Sequence, residues 1–581
     1  MKKQDVPTLV LVIVLTVVGV VLTGCNPLEP GGGGLPRIII LVDGDIPPVM
    51  GSYAFGEVSV GGNGATVSVE VRNEGDEDLK VSDVTCSGTD ADSFAPDSAA
   101  PFAIGPDSKS AFDLTFSPTS IGQKHATLSV TSNDPDVPTY SIQLSGTGTA
   151  GSMSVYQGNI GVSAGGEAHF GYVCVDTVNT VTFVVCNDGN QDLSLIGSPL
   201  VDISGTDAAS FSLASNPASG VSPGAETSFA ISFETANATS KTATVSIESD
   251  DPTVAVYQFT ITGCGFIPAL ELPETGKKAS LAPRDDGDLE MGATWPEPRF
   301  VDNGDETITD KLTGLMWDKN ANRHGRLDWS TALTTVSGLT HATYSDWRLP
   351  NIVEMLSLVN RGQSGSTSWL TSVGFVDVQS SPDVVNYRYW TGTHASEGRS
   401  YSVNLLDGTP TSLEYAIAAS VWAVRDAGPG AVGLRASGQT TSYATGDDGD
   451  LQVGVVWPDP RFIDNGNGTF SDLLTGLMWE QAPGGIDRET WSGAIAYATA
   501  SRLAGYTDWR VPNLVAFQSL VNYEYADSTN GGWLFSQGFL SGSAGYRWSS
   551  TPYWVIHMGS GRPWAFDRNV YNYLWIVRGR E

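Results

Sequence analysis

The carboxyl-terminal stretch concentrates side chains suited to recognition: Tyr553, Trp554, Arg562, Trp564, Arg568, Asn569, Tyr571 and Tyr573. Aromatic faces beside guanidinium and amide groups offer stacking with oriented hydrogen bonds, the chemistry that holds sugar rings or anchors a protein partner. Residues 540–581 contain five Arg against Asp567 and Glu581, a local charge of +3 in a chain of net charge −33. Within this stretch Trp554, Trp564, Tyr571 and Tyr573 are expected at the surface, and Trp548 and Trp575 in the core.

Other chemistry is weaker. Asp302, Asp305 and Asp310 put oxygen ligands at the short spacing calcium takes. A turn is the favoured reading, because Asp305 is replaced by Asn467 in a repeat described below and no Glu stands at a twelfth position. Asn133, Asp134 and Asp136 fall at an Asn-Asp-Pro corner, which commonly caps a hairpin. No cofactor is therefore expected, calcium being the one weak candidate. Cys86, Cys174, Cys186 and Cys264 match no zinc spacing. In an oxidising compartment two of the last three could pair, and the choice stays open. The six His are scattered without a nucleophile-base-acid order or a metal pair, so no enzyme is expected.

The elements that must carry these residues come in repeats. Residues 285–360 recur at 447–522 at a constant offset of 162 with about half the positions identical. The shared residues set turns and packing: Trp295 and Trp457, Asp302-Asn303-Gly304 and Asp464-Asn465-Gly466, Leu315-Met316-Trp317 and Leu477-Met478-Trp479, Asp346-Trp347-Arg348 and Asp508-Trp509-Arg510. Asn-Gly between alternating runs predicts a hairpin. Helical spacing around Ala332 and Leu333, and from Trp491 to Leu503, predicts a helix in each copy, with a second short one over Ile352 to Asn360. Asp346 and Arg348 are expected to form a structural salt bridge at the end of the first helical region. Trp390-Thr391-Gly392-Thr393 and Trp422-Ala423-Val424-Arg425 return as Trp548-Ser549-Ser550-Thr551 and Trp575-Ile576-Val577-Arg578, which is why Trp548 and Trp575 read as core. The copies diverge after Asn360 and Asn522, as binding scaffolds do in their loops.

The amino-terminal half alternates in short runs such as Val67-Ser68-Val69-Glu70-Val71 and Ala126-Thr127-Leu128-Ser129-Val130, with turn signals about every ten residues, the pattern of a β-sandwich. Gly88-Thr89-Asp90-Ala91 returns as Gly205-Thr206-Asp207-Ala208, and Ser132-Asn133-Asp134-Pro135 as Ser249-Asp250-Asp251-Pro252, both at an offset of 117.

These turn motifs, with Asn73-Glu74-Gly75, Asn187-Asp188-Gly189 and Gly146-Thr147-Gly148, resemble the Hydin-type (ASH) immunoglobulin-like family, which implies structural or interaction modules without an active site. The phrases DNG…TxxDxxTGLMW, DWRLPN and WSST resemble the C-terminal domain family of the Legionella collagen-like protein. That family is related to the C-type lectin fold, so the resemblance implies an α+β module with a loop-rich binding face and roles in adhesion or glycan binding. The chain departs from sugar-binding C-type lectins in lacking their cysteine pairs and their Glu-Pro-Asn and Trp-Asn-Asp calcium ligands.

Lys2 and Lys3, an apolar run from Val6 to Leu22, and Leu22-Thr23-Gly24-Cys25 form an export signal ending in a lipobox. The run is long enough to remain as an anchor helix, but Asn26-Pro27 and Gly31 to Gly34 favour cleavage. The resemblance to bacterial lipoproteins implies lipidation at Cys25, and Asn26 after it points to the outer membrane of a Gram-negative cell. The expected chain is multidomain: a signal peptide at 1–24, a lipidated cysteine and flexible linker at 25–50, all-β immunoglobulin-like sandwiches at 51–150 and 151–267, a linker at 268–281, an α+β C-type-lectin-like domain at 282–427, a linker at 428–444, and a second such domain at 445–581.

An acidic exterior repels phosphate polymers, so nucleic acid is excluded as a partner. The expected function is a lipid-anchored envelope or surface protein, adhesin-like, that binds a glycan or protein ligand through its C-terminal domains. One alternative is a non-binding structural envelope lipoprotein, which associates with further copies as a homo-oligomer. The other is a variable receptor diversified by a retroelement.

Overall fold

Period-two alternation gives each strand one dry face, and two such faces must meet. The computed structural model describes residues 34–47, 51–379, 388–482, 488–526, 530–540 and 545–579; Cys25 and the apolar run before it lie outside these residues. Two compact units divide at Thr149.

The first unit is a sandwich. One sheet orders Ile38–Val42, Ala65–Asn73, Lys109–Phe116 and Phe94–Asp97; the other orders Ser52–Ser59, Thr139–Thr149, Gly122–Ser132, Leu79–Ser87 and Phe102–Ile104. Val69, Val71, Leu114 and Phe116 of one sheet share a fully buried core with Leu128, Val130 and Ile142 of the other. The expected flexible linker at 25–50 is corrected in part: Ile38-Ile39-Ile40-Leu41-Val42 pairs antiparallel with Val69 to Asn73, because a continuous apolar run gains more from a sheet than from water. The Asn-Asp-Pro corner is satisfied by backbone. Asp134 Oδ1 accepts from the Asp136 and Val137 N–H groups at 2.8 and 3.0 Å, and Oδ2 from Ile38 N–H at 2.8 Å.

The second unit opens with a sandwich of the same plan, from Met153 to Phe266. Its sheets order Ile160–Gly161, Met153–Gln157, Asn179–Asn187, Glu226–Phe233 and Phe211–Ser215 against Glu167–Cys174, Val256–Phe266, Ser240–Glu248 and Asp202–Ser204. Asp251 repeats the corner, accepting from Met153 N–H at 2.8 Å. Among the described residues no disulfide links Cys86, Cys174, Cys186 and Cys264. Cys186 lies in one sheet, and in the other the parallel register sets Cys264 beside Tyr172 and Cys174 beside Phe266.

Each C-terminal copy has a four-stranded sheet whose last strand is the Trp-x-Val-Arg segment. These are Phe300–Asp302, Thr307–Asp310, Leu315–Asp318 and Val424–Asp426, and Phe462–Asp464, Thr469–Asp472, Met478–Glu480 and Val577–Arg578. A second sheet follows, five-stranded in the first copy and three-stranded in the second. Helices Trp329–Ser337 and Trp491–Ala500 start where Asp328 and Thr490 side chains cap the Thr331 and Gly493 N–H groups, leaving fewer unsatisfied donors. Ile352–Ser357 and Leu514–Ser519 are capped by Asn351 and Asn513. Besides the single turns Asp286–Leu289 and Asp448–Leu451, a third helix in each copy, Ser366–Ser372 and Asn530–Ser536, is absent from the sequence reading, because its Ser, Thr and Gly composition carries little helical signal.

The segments read as linkers at 268–281 and 428–444 are packed. Leu270, Leu272 and Val432 are buried, and Pro273 bridges Ala293 as Arg435 bridges Val455. The repeat thus begins near 270, and each lead-in arm reaches the other copy. Asp286 Oδ2 accepts the Thr551 hydroxyl at 2.7 Å, and Asp448 Oδ2 accepts the Thr393 hydroxyl at 2.7 Å. Asn351 Nδ2 donates to Val453 O and Asn513 Nδ2 to Met291 O. The exchange is reciprocal, and one core runs through both copies. The second sandwich packs on the second copy: Tyr506 Oη donates to Phe170 O at 2.6 Å, Ser471 Oγ to Tyr172 O at 2.8 Å, and Arg578 Nη2 to Asn179 Oδ1 at 3.0 Å. Among the described residues no helix is long and apolar enough to cross a membrane.

Candidate functional site

The tail of the second copy and the arm of the first enclose an open cleft of about 800 Å³. Its floor is Trp491 at the start of a helix, and its walls include Leu281, Ala282, Tyr553, Phe566, Arg568 and Asn569. Trp491 is fixed by its indole N–H to Ser549 O at 2.9 Å, and its backbone N–H takes Arg568 O at 3.0 Å. The Arg568 guanidinium lies 5.0 Å from the Tyr553 ring and 5.8 Å from Trp491, a cation–π arrangement that holds the side chain without an ion pair. Tyr553 is 44% exposed and at φ 70°, a left-handed backbone that a bulky residue rarely adopts.

The repeat supplies an internal comparison. In the first copy Trp329 N–H takes Tyr415 O at 3.0 Å, so Tyr415 stands where Arg568 stands in the second. There the Tyr415 ring stacks on Trp329 at 4.4 Å and Tyr443, from the other copy's arm, stacks on His394 at 3.4 Å. His394 Nδ1 and Tyr415 Oη are 2.6 Å apart, and burial holds the His394 imidazole below its usual range. In the second copy Pro552 replaces His394 and Leu281 replaces Tyr443. The rings that fill the first copy's position have no counterparts in the second, and the cleft is what they leave.

Of the eight residues singled out in the tail, Tyr553, Arg568 and Asn569 line this cleft. Trp564, 45% exposed, lies on the strand just before Ala565 and outside the lining; Tyr571, 61% exposed, lies elsewhere on the surface. Trp554 is half-buried rather than exposed, with the Arg361 guanidinium of the first copy 4.4 Å over its ring. Tyr573 is likewise half-buried: Arg488 lies 4.8 Å over its ring and donates to its hydroxyl at 3.2 Å. Arg562 is half-buried in the strand facing the first copy, and its charge contributes to lowering the pKa of Arg388, for which burial is the larger cause. Trp548 and Trp575 are fully buried. Leu281 and Trp491 were not foreseen; the signal for Leu281 was its mismatch with Tyr443 at the offset of 162.

The three carboxylates weighed for calcium do not converge. Asp302 pairs with Lys319 at 2.6 Å, Asp305 accepts from Thr307 N–H at 3.1 Å, and Asp310 is buried against Arg299. Among the described residues no cluster of His, Cys, Asp or Glu is arranged to hold a metal ion. The expected Asp346–Arg348 bridge is also corrected, because each side chain finds its partner on another segment. Asp346 takes Arg425 at 2.7 Å, while Arg348 takes Glu354 at 2.7 Å and Asp426 at 3.1 Å. The second copy repeats the first of these as Asp508 with Arg578 at 2.7 Å.

No curated protein matches the chain. Among solved structures, the Yersinia pseudotuberculosis adhesin InvE is 13% identical over 67% of this chain and 100% of its own, with a TM-score of 0.18. A Porphyromonas gingivalis W83 protein of unknown function is 15% identical over 39% and 99%, with a TM-score of 0.16. The seventh PapD-like (ASH) domain of human CEP192 is 17% identical over 22% and 96%, with a TM-score of 0.15. Residues 48–138 match the abnormal spindle-like microcephaly-associated, ASPM-SPD-2-Hydin (ASH) family, and residues 306–425 and 468–578 each match the Lcl C-terminal domain. The chain therefore carries one ASH domain and, at its carboxyl end, two copies of the Lcl C-terminal domain.

Proposed function

We propose that this is a non-enzymatic, adhesin-like lipoprotein, anchored through Cys25 to the outer membrane or cell surface, that binds a glycan or a partner protein in the cleft of its second Lcl copy. The observation that carries the reading is the internal comparison: one copy fills its position over the helix-start tryptophan with its own rings, and the other leaves a cleft lined by Tyr553, Phe566, Arg568 and Asn569. Apolar walls with a few polar groups are the usual make-up of a ligand site. The second sandwich is read as a further ASH-type module on the strength of its repeated corner, and both sandwiches act as spacers. The test is binding of the purified protein to glycan and envelope-protein arrays, with Tyr553→Ala and Arg568→Ala beside the parent. Binding lost in both variants supports the cleft; binding unaffected by either rules the cleft out as the site, and no binding at all leaves a passive envelope component.

A further inference from the structure

The first Lcl copy carries an aromatic cleft that shares no lining residue with the tail cleft, and the second copy repeats its ring and guanidinium set. In the first copy Trp295 and Trp369 are half-buried with ring centroids 5.5 Å apart, and the Arg299 guanidinium lies 4.5 Å from Trp295 and 4.7 Å from Phe300. In the second, Trp457 and Trp533 are 5.4 Å apart, with Arg461 at 4.5 Å from Trp457 and 4.8 Å from Phe462. The guanidinium is clamped from behind. Asp310 takes Arg299 at 2.9 and 2.7 Å, and Asp472 takes Arg461 at the same distances. A buried Nη1 is left without a hydrogen-bond partner in both copies.

This clamp orients the indoles and leaves part of their surface facing an open cleft of about 620 Å³ in the first copy, within the range of about 300–1,000 Å³ typical of ligand sites. The chain diverges between Asn360 and the third helix, yet an indole returns on that helix as Trp369 and as Trp533. Exposed indole surface kept twice in otherwise altered surroundings is hard to explain by packing alone, since burying the rings fully would stabilise the fold more. Arg299 is paired by Asp310, and Lys278 by Glu274 and Glu290 at 2.6 and 2.9 Å, while the exposed Glu297 carboxylate also lines the cleft. What remains is a ring-stacking surface beside the exposed amide of Gln363.

We infer that these two ring sets form a duplicated carbohydrate site, in which each indole pair takes the apolar face of one neutral hexose unit of a polysaccharide. The hexose C–H face packs on the indoles, and hydroxyls at the ring edge find amide and carboxylate partners. The probe is native electrophoresis of the purified protein through gels containing dextran, mannan or hydroxyethyl cellulose. At least one polymer is expected to retard the parent. Trp369→Ala and Trp533→Ala each weaken the retardation, and the double variant loses it while Tyr553→Ala does not. Melting curves establish which variants fold. Should the alanine variants fail to fold, Gln363→Arg obstructs the first copy's cleft from an exposed position and must weaken the retardation at least twofold. The inference is overturned by no retardation in any of the three gels, or by retardation that survives the folded double variant or Gln363→Arg. Neither result touches the tail cleft, whose own test uses different variants.

Discussion

The Asp448 carboxylate accepts the Thr393 hydroxyl at 2.7 Å, so a residue of the second Lcl copy completes the buried end of the first. Asp286 returns the contact to Thr551. Thr393→Val and Thr551→Val keep the side-chain shape and remove the donors, at a cost of about 1–3 kcal/mol each. Calorimetry is expected to show a lower melting temperature, with both copies still lost in one transition. Two separate transitions in the parent protein would contradict a shared core.

Burial pushes the Glu480 carboxyl up to about 8 and Asp448 up to about 6. A carboxyl raised in the folded state binds its proton more tightly there, so the stability it contributes is full below the unfolded value. It is lost as pH rises through the folded one. The stability of the parent relative to Glu480→Gln should therefore fall between pH 4.5 and pH 8, by on the order of a few kcal/mol. Urea unfolding of both proteins at the two ends of that range measures it. Parallel pH profiles would show that Glu480 is not buried as described.

Tyr443→Ala removes the ring stacked on His394, and Tyr415→Ala the ring stacked on Trp329. Each change is expected to lower stability by about 0.5–1.5 kcal/mol beyond the lost area. The double variant should open the position over Trp329 without supplying counterparts of Tyr553 and Arg568, since Ala395 stands in the place of Tyr553; an unchanged binding stoichiometry in titration calorimetry is the readout.

All four thiols in the described residues are expected to stay reduced even in an oxidising envelope. The register places Cys174 and Cys264 about 8 Å apart at Cα, beyond bridging reach. Burial pushes Cys86 up to about 11 and raises Cys186 and Cys264, so little thiolate is present at neutral pH. Intact mass after denaturing alkylation, without reductant, should show every one of the four modified.

Local chemistry was legible in the sequence, and long-range assembly was not. Asn303-Gly304 announced its hairpin, and the burial of Trp548 and Trp575 followed from their matches at Trp390 and Trp422. Asp346 and Arg348 were visible as an ion-pair motif, but their partners Arg425, Glu354 and Asp426 are chosen by which strands lie alongside. The tail cleft was half visible. Its tail residues could be read from their types, whereas Leu281 is more than 200 residues away in sequence and arrives only through the arm exchange. Trp554 and Tyr573 turned inward because Arg361 and Arg488 lie over their rings, contacts no periodicity encodes.

The arms make the two halves mutually dependent. A premature stop near residue 430 would not yield a shorter chain with one intact Lcl copy. It would strand the Asp286 arm without a groove and empty the groove at Thr393, and a quality-control protease would meet both faults at once. Gene shortening by a single repeat is thereby closed off, and loss of one copy becomes loss of the pair.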